Sequence, residues 1–560
     1  MNTQPKSATA TAAPSGPLTH RQIMAIITAL LLGMFLAALD QTVVSTAIRR
    51  IGDDLHGLSA QAWVTTAFLI TSTITTPLYG KLSDLYGRKQ LFMTAISIFL
   101  VGSVLCGLAT DMYMLAGFRA VQGLGAGGLF SLAMAITADI LSPQDRPRYM
   151  GYFMATFATS SVLGPVVGGF LSGQDAILGV TGWRWIFVLN VPIGIIALIV
   201  VNRVLRASPR RAQVRIDTWG TVTIIVAVVP VLLVAERGRE WGWTSPWSIG
   251  CFVLGLFGVV GFLFAERRMG DDALIPLRLF RNNTFSVGSG ISLVLGIGMF
   301  GGLAAIPLYL QIVKGASPTR AGLLMLPLML GMMSASLLAG RWTSRTGRYR
   351  IFPIVGSALL VAALALLSLL GADTPLWKTD LFMLLFGVGL GLNMQTIQIA
   401  MQNAVAPQDI GVATSSGTFF RQMGGTLGTA VFLSILFGGA PGKISTAYQS
   451  AAGSPDFVAA TAAHPDQLHQ ITGSGSLDDT AFLTSIDRTI AHPFMVGFSD
   501  AMSVVFLVGA AIVTIAFVLS FVLREVPLRR VSGLEAARAE AAAAAPRTET
   551  VADVATEAHV

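Results

Sequence analysis

Long apolar runs, broken by short polar turns, follow one another along most of the chain. An α-helix needs roughly 20 apolar residues to cross a bilayer. Fourteen stretches are of that order: 22–46, 60–80, 91–109, 112–135, 150–172, 184–203, 217–235, 246–265, 285–309, 321–340, 351–370, 379–401, 411–438 and 499–523. The pattern predicts an all-α polytopic membrane protein of fourteen transmembrane helices. Composition agrees, since 53% of residues are hydrophobic and only 12% charged, where soluble domains carry about 25% charge. The first apolar run is too long for a cleaved signal peptide.

Charge then orients the spans. With the amino terminus inside, the short inner loops carry eighteen Lys and Arg and the short outer loops eight, as the positive-inside rule expects. Both termini are therefore expected in the cytoplasm of a bacterial cell, and the chain in its inner (cytoplasmic) membrane. The net charge of +8 reflects this loop bias, so the partner it implies is the lipid bilayer and no nucleic acid is expected. Cys106 and Cys251 both fall within apolar spans, which predicts neither a disulfide framework nor a metal site. No cofactor is expected.

A weak internal repeat divides the spans. Gly80-x3-Asp84-x2-Gly87-Arg88 recurs as Gly340-x3-Ser344-x2-Gly347-Arg348, an offset of 260. Gly123 precedes Pro143-Gln144-Asp145, and Gly387 precedes Pro407-Gln408-Asp409 by the same twenty residues, at an offset of 264. Parallel six-helix repeats, with sites where the halves meet, are a recurrent transporter architecture. The expected organisation is a cytoplasmic tail (1–21), an N-terminal six-helix bundle (22–205) and an inserted helix pair (216–265). A C-terminal six-helix bundle (284–523) and a cytoplasmic tail (524–560) complete it. Residues 439–498 read as a polar extracytoplasmic loop within the second bundle.

Few residues in the spans carry chemistry. Asp40, followed by Gln41, lies in the first span, where a carboxylate costs about 2.5–3.5 kcal/mol to insert and so points to function. Helical rise puts it roughly 9 Å from the outer end of its span, and Arg119 roughly 10 Å from the outer end of the fourth, so the two can meet. Protonating Asp40 would release Arg119; a static ion pair that fixes packing is the alternative. Gly164-Pro-Val-Val-Gly168-Gly169 suits a kinked, closely packed hinge helix, or tight packing alone. Span 12 offers Asn393, Gln395, Gln398 and Gln402, with the last three on one helical face. Together with Gln41 and the intramembrane cation Arg421, they could line a substrate cavity or tie helices together. The turn Gly80-Lys-Leu-Ser-Asp84-Leu-Tyr-Gly87-Arg88-Lys89 is basic, glycine-hinged and carries one acid.

Jointly these motifs resemble the major facilitator superfamily, in particular its fourteen-span drug:proton antiporter branch of EmrB/QacA type, over about 20–525. The resemblance implies a proton-coupled secondary antiporter that exports lipophilic drugs by alternating access, working as a monomer, with the proton and a lipophilic or amphipathic small molecule as partners. It assigns Asp40, Arg119 and Gln122 to proton coupling. It assigns Gly80, Asp84, Gly87, Arg88 and Lys89 to the cytoplasmic gate, and Gly164, Pro165, Gly168 and Gly169 to the antiporter hinge. Trp183-Arg-Trp-Ile-Phe-Val-Leu-Asn190-Val-Pro also resembles this branch. The chain departs from the pattern at Ser160, at Ser344 in place of a second Asp84, and in lacking a carboxylate deep within spans 9–13. Export of a lipid, glycolipid or secreted metabolite on the same fold is the second reading. A membrane-embedded enzyme or receptor is remote: no His lies in a span, and neither a Walker-type phosphate loop nor a nucleophile–base pair is present.

Overall fold

The computed structural model describes residues 19–55, 61–205, 217–464, 467 and 486–529. Thr19 opens the chain's first helix with a capping box: its hydroxyl accepts from the Gln22 N–H, and the Gln22 side chain accepts from the Thr19 N–H. That helix is α1 (His20–Asp54). It is followed by α2 (Gln61–Tyr86), α3 (Arg88–Gly107), α4 (Met112–Ile140), α5 (Arg146–Ser172), α6 (Arg184–Val188) and α7 (Asn190–Val204). Next come α8 (Thr218–Trp241), α9 (Pro246–Met269), α10 (Asn283–Leu308), α11 (Pro318–Leu324), α12 (Leu326–Thr346) and α13 (Ile351–Leu367). The last are α14 (Leu376–Asn403), α15 (Ile410–Ala451), α16 (Pro455–Ala463) and α17 (Arg488–Val522). A two-stranded hairpin, Ala176–Ile177 with Val180–Thr181, sits in the turn before α6.

Twelve of the described helical segments are long and apolar enough to cross a membrane, where the hydropathy pattern predicts fourteen. The two that fall short have identifiable causes. Helix α13 has 17 residues, and α2 carries a run of hydroxyl side chains. Several of those hydroxyls are satisfied within the helix, as Thr71, Thr75 and Thr76 donate to the carbonyls of Ala67, Thr71 and Ser72. Both helices still pack inside the bundle, α2 against α4 and α15, α13 against α14 and α17.

Helix α1 packs on α4, α5 and α7, with α2 and α3 on α4. Helix α10 packs on α15 and α17, α12 and α13 on α14, and α15 on α17. Helices α5 on α12 and α2 on α15 join these two groups, while α8 and α9 pair with each other and α8 touches α2 and α15. Gly87, at φ 91°, forms the turn into α3, and Gly347, at φ 72°, ends α12. Positive φ favours glycine, and both glycines of the repeat at offset 260 have it, although ψ differs, at 142° for Gly87 and -2° for Gly347.

Glycines set two close helix seams in corresponding places. A Cβ on Gly164 would overlap Thr42 Oγ1, and one on Gly168 would lie 2.8 Å from the Val43 carbonyl oxygen, so α5 lies directly on α1. On α15, a Cβ at Gly424 or Gly428 would overlap the carbonyl oxygens of Leu293 and Ile297 on α10. Helix α5 continues through Pro165. Ser160, where the resemblance prefers glycine, is fully buried, and its carbonyl accepts from Thr42 Oγ1 at 3.0 Å.

The described residues of the expected loop at 439–498 are largely helical. Helix α15 runs 42 residues to Ala451, α16 covers Pro455–Ala463, and α17 begins at Arg488. At 1.5 Å per residue α15 is about 63 Å long, twice the hydrocarbon thickness of about 30 Å. Polarity had suggested a loop, but small residues carry helix without an apolar face. The extensions of α15 and α17 enclose a cleft of 270 Å³ lined in part by Lys443, His492 and Asp500. His492 Nε2 sits 3.1 Å from both carboxylate oxygens of Asp373. His469 lies outside the described residues.

The start of the expected tail also packs. Val526 N–H donates to Tyr349 Oη, Asn403 donates to the carbonyls of Val526 and Pro527, and Arg529 donates to the Val405 carbonyl.

The glycine seams separate residues that the sequence motif groups together. Gly169 is exposed and a Cβ there meets nothing within 4 Å. Gly164→Ala is expected to destabilise the protein by about 1–3 kcal/mol through overpacking, and Gly169→Ala to change stability by less than about 0.5 kcal/mol, measured by thermal unfolding of the purified protein in detergent.

Candidate functional site

A carboxylate in hydrocarbon is tolerated when paired and hydrogen-bonded, and α1, α4 and α7 together supply what Asp40 needs. Asp40 is 1% exposed. Its Oδ2 accepts from Arg119 at 2.5 Å, and its Oδ1 accepts from Gln122 at 2.9 Å and from Asn190 at 2.7 Å. Arg119 and Gln122 are one helical turn apart on α4, so they present to α1 together. Arg119 also donates to Gln122 Oε1 at 2.7 Å, and its guanidinium carbon stands 4.1 Å from the Phe68 ring centroid. That cation–π contact covers the face of the guanidinium. Arg119 Nε has no hydrogen-bond partner among the described residues.

Asn190 extends the network. Its amide donates to Ser103 Oγ at 2.9 Å as well as to Asp40, and Ser103 in turn donates to the Phe187 carbonyl at 3.0 Å. The sequence motif contained Asn190 without a role. Its signal was a carboxamide at the start of an otherwise apolar span, in a segment already singled out. The structure thus brings together Asp40, Arg119 and Gln122, as expected, and adds Asn190, Ser103 and Phe68.

The hinge motif touches this site through α1. Gly164 and Gly168 pack on Thr42 and Val43, two and three residues beyond Asp40. Gly169 faces away, and Pro165 approaches within 3.8 Å of the Cβ position of Gly322 on α11.

The 80–89 turn forms a second polar cluster at one end of the bundle. Arg88 bonds Asp139 at 2.8 Å and also donates to Ser83 Oγ. Lys89 donates to the Asn202 carbonyl at 2.6 Å, and Lys81 to that of Asp271 at 3.2 Å. The side chain of Asp84 lies outside the described part of the structure. A Cβ on Gly80 would overlap Ser415 Oγ and lie 3.1 Å from the Gly411 carbonyl oxygen, so α2 and α15 meet there with no room to spare.

Around this end, bonds cross between the two helix groups. Arg146, 1% exposed, donates to the carbonyls of Ala138 and Leu141, capping the end of α4, and reaches Gln402 Oε1 at 2.7 Å. Burial lowers its pKa from 12.5 to about 9. Gln402 passes the contact to Thr414 Oγ1 at 2.8 Å, and Gln144 donates to the Ser344 carbonyl at 2.8 Å. Arg278 grips Asp409 through two bonds of 2.9 Å, which raises the arginine's pKa above its ordinary value by hydrogen bonding to the acid.

The expected cavity residues divide. Asn393 donates to the Gly389 carbonyl and accepts from Ser357, so it ties α14 to α13. Gln398 donates to the Thr414 carbonyl at 3.3 Å. Gln41 is half-buried and Gln395 buried. Arg421 is half-buried on α15. One carboxylate missed by the sequence reading, Asp380, lies one turn inside α14 with Oδ1 unpartnered among the described residues.

An all-helical bundle built around a buried, hydrogen-bonded ion pair, with two helix groups bonded at one end, defines a membrane transporter. The sequence signature of the Major Facilitator Superfamily matches residues 30–429, and the chain belongs to that superfamily. It is 35% identical over 530 residues to an uncharacterized MFS-type transporter of Mycobacterium tuberculosis, covering 94% of this chain and 73% of the relative. It is 32% identical over 502 residues to multidrug resistance protein 3 of Bacillus subtilis, covering 88% of this chain and 96% of that one. The fold matches the proton:xylose symporter XylE with a TM-score of 0.58 at 14% identity, over 93% of this chain and 100% of that one. These proteins are transporters, and so is this chain; it is not an enzyme.

Gln402 is the one acceptor for Arg146 Nη1 among the described residues. Gln402→Ala is expected to lower stability by about 1–3 kcal/mol, the cost of an unsatisfied buried donor, seen as a lower melting temperature in detergent. Gln408→Ala, in the neighbouring turn, serves as the comparison.

Proposed function

We propose that this chain is a proton-coupled antiporter of the fourteen-span drug:proton branch, exporting lipophilic or amphipathic compounds by alternating access. The observation that carries this reading is the convergence of Arg119, Gln122 and Asn190 on Asp40. All three donate to the carboxylate. A protonated carboxyl accepts less well and adds an O–H among donors, so the arrangement that suits Asp40⁻ does not suit its acid form. Proton loading therefore favours a different relation of α1 to α4 and α7. The close Gly164–Thr42 and Gly168–Val43 seam passes that change to α5, which packs on α12. Inward proton movement is driven by about 2.3 kcal/mol per charge for each 100 mV of membrane potential.

In this scheme the bundles are 22–205 and 284–523, with 216–265 inserted between them, and α2 and α13 complete fourteen spans. Both termini and the 80–89 turn face the cytoplasm of a bacterial cell, and the protein works as a monomer. Gly80, Asp84, Gly87, Arg88 and Lys89, with the Arg146–Gln402 bond, hold the cytoplasmic side shut and part when the site opens inward. The multidrug name of a relative 32% identical supports lipophilic drugs as cargo. The helical extension and cleft at the outer end of α15 and α17 favour a second reading, export of a lipid, glycolipid or secreted metabolite.

The test is transport in everted membrane vesicles, with a lipophilic dye and a pH indicator read together. Wild-type protein is expected to take up dye and release protons, and Asp40→Asn to lose at least about 90% of the coupled flux. Undiminished coupled flux in Asp40→Asn would overturn the assignment. Lipid export lost on trimming the outer extensions, with dye transport retained, would favour the second reading.

A further inference from the structure

We infer that Arg421 is the recognition point for an anionic group on the transported compound, so that amphipathic organic anions form a substrate class of this protein. The inference rests on the transporter reading and adds the charge of the cargo.

The seam between α14 and α15 fixes where Arg421 stands. Gln402 donates to Thr414 Oγ1, and Gln398 to the Thr414 carbonyl. The two helices run antiparallel, so seven residues back along α14 and seven forward along α15 lead the same way. Residues i and i+7 share a helical face. That step goes from Gln402 to Gln395 and from Thr414 to Arg421, about 10 Å farther along the seam. Gln395 and Arg421 therefore occupy matching positions two turns above a bonded pair. The side chain of neither has a hydrogen-bond or ion-pair partner among the described residues, and neither contributes a buried polar atom left wholly sealed from solvent. Their polar atoms open onto interior space.

Glycine shapes that space. A Cβ on Gly296 would overlap the Arg421 carbonyl oxygen, which seats the arginine's backbone hard against α10. A Cβ on Gly417, one turn below Arg421, would lie 2.9 Å from Gln398 Oε1, so α14 and α15 pack closely there and form the floor beneath Arg421. The next residue, Gln422, accepts from Thr76 of α2 at 3.0 Å. Arg421 thus sits beside the contact between the two helix groups, where a transported molecule would be held.

No acid among the described residues is paired with this charge. Asp40 has both oxygens occupied by Arg119, Gln122 and Asn190. Asp380 lies fifteen residues, about 22 Å, along α14 from Gln395. A cation in a membrane interior pairs with another group or lines a water-filled cavity on a substrate path. A guanidinium presents a planar fork of donors matched to a carboxylate, with Gln395 placed to add an amide donor. A cationic substrate would meet repulsion here instead.

The experiment is equilibrium binding to the purified full-length protein in detergent, using diethylaminocoumarin carboxylate and its uncharged methyl ester as fluorescent probes. Wild-type protein is expected to bind the carboxylate at least about tenfold more tightly than the ester, the scale of one charge-assisted hydrogen bond. Arg421→Gln is expected to abolish that preference while leaving ester affinity within about twofold, and Arg421→Lys to keep part of it. Should Arg421→Gln unfold, as seen by melting temperature, the Lys variant and the wild-type preference still decide. A wild type that does not prefer the carboxylate overturns the inference. So does an Arg421→Gln that retains the preference, or a folded one that loses both probes equally. Binding needs no gradient: a wild type that prefers the carboxylate yet shows no proton-driven flux sinks the antiporter scheme and leaves this inference standing.

Discussion

One carboxylate placed in hydrocarbon organises the chain's first helix group. Ionised Asp40 is tolerable there because three side chains from two helices aim donors at its two oxygens. An ion pair of this kind contributes little net stability, since desolvation offsets most of the attraction. Its value lies in specificity: it fixes how α1, α4 and α7 face one another, and it links that arrangement to the bonding state of one acid. Ser103 and the Phe187 carbonyl hold Asn190 in place, and Phe68 lies against Arg119. Removing any of these groups alters the environment of the same two oxygens.

Glycine seams connect this centre to the rest of the bundle. Helices α5 on α1 and α15 on α10 approach so closely that side chains larger than hydrogen collide with backbone. Close approach of this kind transmits displacement with little slack, because packed interiors resist compression. The seams occupy corresponding places in the two helix groups, yet what stands beside them differs. One borders a saturated acid, the other a bare cation. The sequence repeat therefore carries a common scaffold with divergent chemistry.

Much of this was legible in the residues. Hydropathy gave the helices, helical rise put Asp40 and Arg119 at one depth, and Gly87 and Gly347 both take a positive φ at the expected offset. Other features were not. Composition did not show the helices in the described part of 439–498, because Ser-, Ala- and Gly-rich sequence carries no amphipathic signal when a helix is stabilised by its neighbour. Twelve of the described helices are long and apolar enough to span; α13 is short and α2 is hydroxyl-rich, with several hydroxyls bonded to its own carbonyls. Asn393 looked equivalent to Gln395 and Gln398, but only contacts show that it serves α13. Asn190 and Arg146 draw their importance from partners distant in sequence, which periodicity along one helix does not report.

Helix α15 joins both ends of the molecule in a single piece. Its first residue follows Asp409, clasped by Arg278, and its last lies some 63 Å away by helical rise, beyond the bilayer's outer boundary in the proposed orientation. A rod anchored at its foot acts as a pointer: a tilt too slight to notice at the base sweeps a wide arc at the tip. The outward projection thereby turns small rearrangements near the gate into large excursions where an antibody, or a neighbouring cell-surface molecule, would meet them first.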